Sequence, residues 1–243
     1  MLGILGGMGP LATIDFMAKI VALTDAARDQ DHIPMVVSSV PQIPDRTTAI
    51  LENGKDPLPA MLRCVDMLER AGASMIAIPC NTAHFWYPQI ANFARVPVLN
   101  IVDACAEELR QRPRLRGRIG LLATRGTLAT GIYTNRLTGF EILTPPDQDG
   151  VMRGISAIKA AKFEEGRLLL EAAANHLFRA RCSAVIMACT EVPLALAETA
   201  KQMPDRYIDP TNALAKLCVS RWNHLQAVPR SEVVDWSAVF TAH

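Results

Sequence analysis

The sequence predicts an α/β protein built from two pseudo-symmetric, flavodoxin-like parallel-sheet units, with an active site in the cleft between them. Three observations carry this expectation. Apolar runs of strand length alternate with longer segments of helical period, the alternation occurs twice, and each repeat closes a strand on a cysteine.

The first run, Leu2-Gly3-Ile4-Leu5, stops at Gly6-Gly7 and hands over to a helical pattern from Leu11 to Ala27. Ile33 to Ser38 reads as the second strand, Leu58 to Ala71 as a helix, and Met75 to Pro79 as the third strand. The order restarts with a strand at Arg118 to Ala123, a helix near Leu128 to Leu137, and a strand at Phe140 to Leu143. Helical stretches between Gly150 and Arg181 and a strand at Ala184 to Ala188 complete it. Strands that are apolar throughout are covered on both faces, as in parallel sheets flanked by helices. Laid over one another, Gly3 to Gly9 answers to Gly120 to Gly126, and Ile76 to Thr82 answers to Val185 to Glu191. The separations are similar, 77 residues from Gly3 to Cys80 and 69 from Gly120 to Cys189. We therefore expect a first half from residues 1–102 plus 206–225, a second half from 103–205, and a peripheral tail over 226–243.

Composition narrows the function classes. Half of the 243 residues are apolar, and 25 Lys+Arg against 24 Asp+Glu leave a net charge of +1, so no bulk field draws nucleic acid or anionic lipid. No window approaches the roughly 18 apolar residues of a membrane span, and the N-terminal run lacks the basic flank of a signal peptide. A soluble cytoplasmic protein is expected, with neither nucleic acid nor membrane as partner. The six cysteines form no C-x-x-C pair, the pattern of reduced thiols, and zinc is not expected.

Cys80 lies where an apolar strand stops and where Asn81 and Thr82 are placed to cap a following helix. A thiol at such a start is expected to ionise more readily. Cys189 repeats that placement, followed by Thr190 and Glu191, whereas Cys64, Cys105, Cys182 and Cys218 sit inside helical patterns and read as core. Ligands bind beyond the carboxyl ends of parallel strands, so facing halves bring Cys80 and Cys189 to one cleft. Two opposed acid/base groups of one kind suit the inversion of a carbon, one removing a proton and the other returning one. Asn81, Thr82, Thr124, Thr127 and Thr190 are candidate donors to the charge that develops.

Gly7-Met8-Gly9-Pro10-Leu11-Ala12 also fits a dinucleotide fingerprint, but the strand that should end on an acid for the ribose ends in Val37-Ser38-Ser39. The loop, Met8 included, is expected to approach a small carboxylate instead. His84 either supports Cys80 or packs near the surface, and no further ligands accompany it for a metal. Glu191 is either an N-terminal helix acid or a partner of the thiol or the substrate amine. Phe85-Trp86-Tyr87 reads as packing.

Together, residues 3–13, Pro41 to Thr47, Pro79 to His84, Leu121 to Thr127 and Ala188 to Glu191 resemble the cofactor-independent aspartate/glutamate racemases, over roughly residues 1–220. The resemblance implies an acid/base pair at Cys80 and Cys189, with Asn81, Thr82 and Thr190 on the substrate's α-carboxylate and amino group. It also implies no cofactor, a homodimer, and an acidic amino acid as substrate. The aspartate branch uses an arginine in the segment matching Asp45-Arg46-Thr47, which transfers to Arg46. Its lysine about thirty residues before the second cysteine transfers to Lys159, with Lys162 nearby. Glu191 stands where glutamate racemases of cell-wall synthesis usually carry His. Alternatives are a glutamate or broad-range racemase, hydantoin racemisation, malonate decarboxylation, a non-catalytic amino-acid-binding relative, and a nucleotide-binding protein using the glycine loop.

Overall fold

The computed structural model describes residues 1–227. Its frame is two four-stranded parallel sheets. The first has the order β2-β1-β3-β4, from β1 (Leu2–Gly6), β2 (Met35–Ser39), β3 (Met75–Ala77) and β4 (Val98–Leu99). The second repeats the permutation as β6-β5-β7-β8, from β5 (Arg118–Ala123), β6 (Glu141–Leu143), β7 (Ala184–Ala188) and β8 (Tyr207–Ile208). In the first, Leu2 of β1 stands opposite both Met35 and Met75; in the second, Ile119 of β5 stands opposite both Ile142 and Ala184. The shared permutation is that of a flavodoxin-like sheet and matches the duplication read from the sequence.

Successive strand residues point to opposite faces, and both faces are buried. Leu2 and Ile4 of β1 and Ile119 and Leu121 of β5 enter one core shared by the two sheets, filled by Phe16 and Ile20 of α1 (Pro10–Leu23). Val102 and Leu109 of α5 (Ile101–Arg110) and Leu214 of α11 (Pro210–Ala227) join it. The other faces are covered separately. Leu5 and Ile76 pack under α3 (Leu58–Arg70) in one cluster with Ile90 of α4 (Tyr87–Phe93), while Leu122 and Val185 pack under α7 (Gln148–Lys159) and α8 (Phe163–Arg179), with Ala200 of α10 (Ala197–Gln202) against them.

Three expectations change. β8 lies inside the 206–225 stretch assigned to the first half, yet it pairs with β7 through Tyr207 and Val185, so the second sheet runs to Ile208 before α11 packs on α1 and α5. The helix expected near Leu128 to Leu137 is the short α6 (Arg125–Thr130), ended by Gly131 at φ 65°. The turns that follow leave Tyr133 and Leu137 buried in the shared core. Of the expected tail, Gln226 and Ala227 end α11 and the remaining residues lie outside the described ones.

Candidate active site

The cleft is built where strands of both sheets end. At the end of β1, Gly7 has φ +86°, and a Cβ there would stand 2.3 Å from the backbone nitrogen of Val40, so only glycine turns the chain this closely past β2. Thr13 of α1 closes the loop: its Oγ1 accepts from the Gly7 N–H at 2.9 Å and donates to the Gly9 carbonyl at 2.9 Å. Met8 is thereby held at the cleft, 3% exposed.

Beyond β3 the chain runs through Cys80 and Asn81 into a 3-10 helix, Thr82–Trp86. No long helix starts at Cys80, and neither Asn81 nor Thr82 caps one. The Asn81 Oδ1 instead accepts from the Tyr133 hydroxyl at 2.5 Å. Thr82 Oγ1 bonds Thr124 Oγ1 at 3.0 Å and Thr127 Oγ1 at 2.8 Å, a triangle of hydroxyls that joins the halves. His84 is buried, which removes the surface alternative. Its Nε2 accepts from the Ile101 N–H at 3.0 Å, so its Nδ1 carries the proton and donates to the Cys80 carbonyl at 2.8 Å. Burial holds this imidazole neutral, with its pKa lowered to about 4.

Cys189 follows β7 and leads into α9 (Glu191–Ala195), a helix of five residues that offers little dipole. The expectation of an easily ionised thiol fails here. Burial and the neighbouring Glu191 carboxylate push Cys189 well above the usual thiol range, Lys159 opposing them in part. Its Sγ donates to Glu191 Oε2 at 3.0 Å, and Thr190 Oγ1 donates to the same oxygen at 3.2 Å.

Arg46 opens α2 (Arg46–Leu51) and is buried; Asp45 caps that helix by accepting from the Thr48 N–H at 2.9 Å. The guanidinium donates to the carbonyls of Ile43 and Pro44 at 3.1 and 3.0 Å, and to that of Met8 at 3.4 Å. Lys159 ends α7 and forms no ion pair among the described residues. Desolvation would lower its pKa, but Cys189 and Glu191 outweigh that and raise it, so the ammonium stays charged.

These side chains converge. Cys80, Asn81 and Thr82 from one half and Thr124, Cys189, Thr190 and Glu191 from the other line one chamber of about 20 Å³, room for a single water, closed by Met8, Arg46 and Lys159. Asp45, Arg46, Lys159 and Glu191 also wall an outer chamber of about 300 Å³ that opens between Gly9, Leu11 and Pro41. Thr127 does not line the inner chamber; its hydroxyl bonds those of Thr82 and Thr124. Asp45, Thr47 and the buried Tyr133 were not singled out for the site; the first two lay inside the quoted Pro41 to Thr47 segment, and Tyr133 carries no local signature. Two buried donors, Asn81 Nδ2 and Arg46 Nε, find no partner among the described residues. Also among these residues, no helix is long and apolar enough to cross a membrane, and no group of three or more His, Cys, Asp or Glu side chains is placed to hold a metal ion.

Compared with known proteins, residues 5–218 match the family described as Asp/Glu/hydantoin racemase. The chain belongs to the Asp/Glu/hydantoin racemase family. Within this family it is 31% identical to the broad specificity amino-acid racemase RacX of Bacillus subtilis over 231 residues, covering 91% of this chain and 98% of the relative. The structure of Picrophilus torridus aspartate racemase superposes with a TM-score of 0.81 at 34% identity, covering 91% of this chain and 94% of that one. A glutamate racemase from Francisella tularensis, solved with D-glutamate, shares the racemase fold at 15% identity with a TM-score of 0.67, over 93% of this chain and 81% of that one. The chain is accordingly an amino-acid racemase by family, with the family's two-sheet α/β fold.

Proposed function

We propose that this racemase inverts the α-carbon of an acidic amino acid, aspartate foremost, by a two-base proton exchange between Cys80 and Cys189 that needs no cofactor. One observation carries the reading: thiols from equivalent strand ends of the two halves line a single chamber. One sulfur removes the Cα proton and the other returns a proton to the opposite face, through a planar carbanion beside the α-carboxylate. Buried donors aimed at that charge are each worth about 3 kcal/mol. Tyr133 occupies Asn81 Oδ1, which leaves Asn81 Nδ2 without a partner among the described residues as the donor for the α-carboxylate; the hydroxyls of Thr82 and Thr124, bonded to each other and to Thr127, and of Thr190, bonded to Glu191, would join it by exchanging those bonds for the substrate's. Arg46 Nε and Lys159, which have no hydrogen-bond and no ion-pair partner respectively among the described residues, suit a second carboxylate, and the aspartate activity named for the Picrophilus relative supports the same assignment.

Incubation of the purified protein with L-Asp and with L-Glu in deuterated water tests this. Loss of optical rotation with deuterium at Cα is expected, faster for Asp, insensitive to chelators and carbonyl reagents, and abolished in Cys80→Ala and in Cys189→Ala. Retained racemisation in either alanine variant would end the two-base reading. A second reading, racemisation of a broad range of side chains, is favoured by RacX and by the outer chamber, whose rim at Pro10, Leu11, Pro41 and Ile43 is apolar. Turnover of neutral amino acids at rates near that of Asp selects it.

A further inference from the structure

We propose that Glu191 holds the proton of Cys189 on sulfur, so that Cys189 is the side of the cleft poised to deliver a proton and Cys80 the side that takes one. This rests on the two-thiol reading above but concerns an earlier question, which sulfur owns the proton before substrate arrives. The two thiols have different supports. Cys189 Sγ lies 3.0 Å from Glu191 Oε2 as its donor. Cys80 has no carboxylate in contact with its sulfur among the described residues; its support is backbone, through the carbonyl bond from His84.

A proton shared between a thiol and a carboxyl stays on sulfur, because ordinary values differ by about 4 pH units, or about 5–6 kcal/mol. Glu191 Oε1 lies 3.1 Å from where a Cβ on Gly9 would stand, and Gly9 begins the 14-residue α1 with no side-chain cap, so the positive end of that helix faces the acid. A Cys189 thiolate would stand against this fixed negative charge. The other charged groups at the chamber are Arg46 and Asp45 from the start of α2 and Lys159 from the end of α7; the neutral Tyr133 does not line it but bonds Asn81 Oδ1. Lys159 acts on both sulfurs, and Arg46 adds positive charge. The step balances: Cys80 sulfur takes the Cα proton, the Cys189 thiol delivers its own to the opposite face, and the displaced charge is then on Cys189. Exchange with water returns a proton to Cys189 and removes one from Cys80.

Two measurements test the assignment. Site-resolved alkylation of the parent by iodoacetamide at neutral pH is expected to modify Cys80 about tenfold or more faster than Cys189. Glu191→Gln should close that gap by accelerating Cys189. Ultraviolet titration of the thiolate in Cys80→Ser and in Cys189→Ser reads the same order without a reagent having to enter the cleft, and it serves if Glu191→Gln fails to fold. Cys189 ionising at or below the pH of Cys80, or an alkylation ratio unmoved by Glu191→Gln in a folded variant, overturns the proposal. Because neither measurement uses turnover, absence of Cα exchange with every amino acid would defeat the racemase reading while leaving this assignment standing.

Discussion

At the scale of single residues, the side chains of the cleft differ in how firmly the described residues hold them. Arg46 is tied to three carbonyls, whereas Lys159 has no ion pair among the described residues, so its removal changes charge at little structural cost. Lys159→Ala is expected to lower kcat/KM for aspartate about a hundredfold, the effect of leaving a buried substrate carboxylate partly unpaired, with an unchanged melting temperature. Steady-state kinetics beside a thermal scan checks both halves of that statement. His84 gives a pH dependence. Its imidazole, with a usual value of 6.5, is held neutral down to about 4 in the folded chain. Between those values the unfolded chain binds a proton that the folded one refuses, so stability is complete above 6.5 and declines as pH falls towards 4. The loss from about pH 7 to about pH 5 should be about 2 kcal/mol greater for the parent than for His84→Gln in urea unfolding. Equal losses would show that the imidazole is not the sensitive group.

Among the elements, legibility followed periodicity. β1, β5 and β7 are five or six residues long with both faces in a core, and their apolar runs marked them. β4 and β8 have two residues each, too short for any period to register, and β8 was accordingly assigned to the wrong half. That Cys80 and Cys189 share one chamber was legible because the halves repeat. What holds Asn81 was not, since Tyr133 lies 52 residues away on a turn read as plain helix. The dipole argument for the thiols failed for a related reason: strand ends were visible, but not that the helices after them run for only five residues. The β1–α1 turn is the element most exposed to a single change. Gly7→Ala would place a methyl 2.3 Å from Val40 N at φ +86°, and a loss of roughly 3 kcal/mol or more is expected by chemical denaturation. A variant within about 1 kcal/mol of the parent would mean that the β2 end yields easily.

For the whole molecule, two sheets share one core, and a buried-end ion cluster reinforces it. Lys19 of α1 reaches Asp15 at 2.5 Å, Asp209 after β8 at 2.6 Å and the Thr211 hydroxyl of α11 at 2.7 Å. Lys19→Met would leave two carboxylates facing each other without their cation, and a cost of about 2–3 kcal/mol is expected. Because the core is common, that loss should shift one cooperative transition and not split it; two separated transitions would show that the halves unfold independently. The same union sets the width of the cleft. A Cβ on Gly126 of α6 would stand 2.9 Å from the Thr47 Cα of α2, so the halves meet here across a space that holds one hydrogen. Position 126 is in effect the adjusting screw of a calliper whose jaws carry Cys80 and Cys189. In Gly126→Ala a single methyl would wedge α6 from α2, and because the proposed two-thiol exchange needs both sulfurs to straddle one carbon, inversion is expected to fail while each sulfur still reacts with an alkylating reagent.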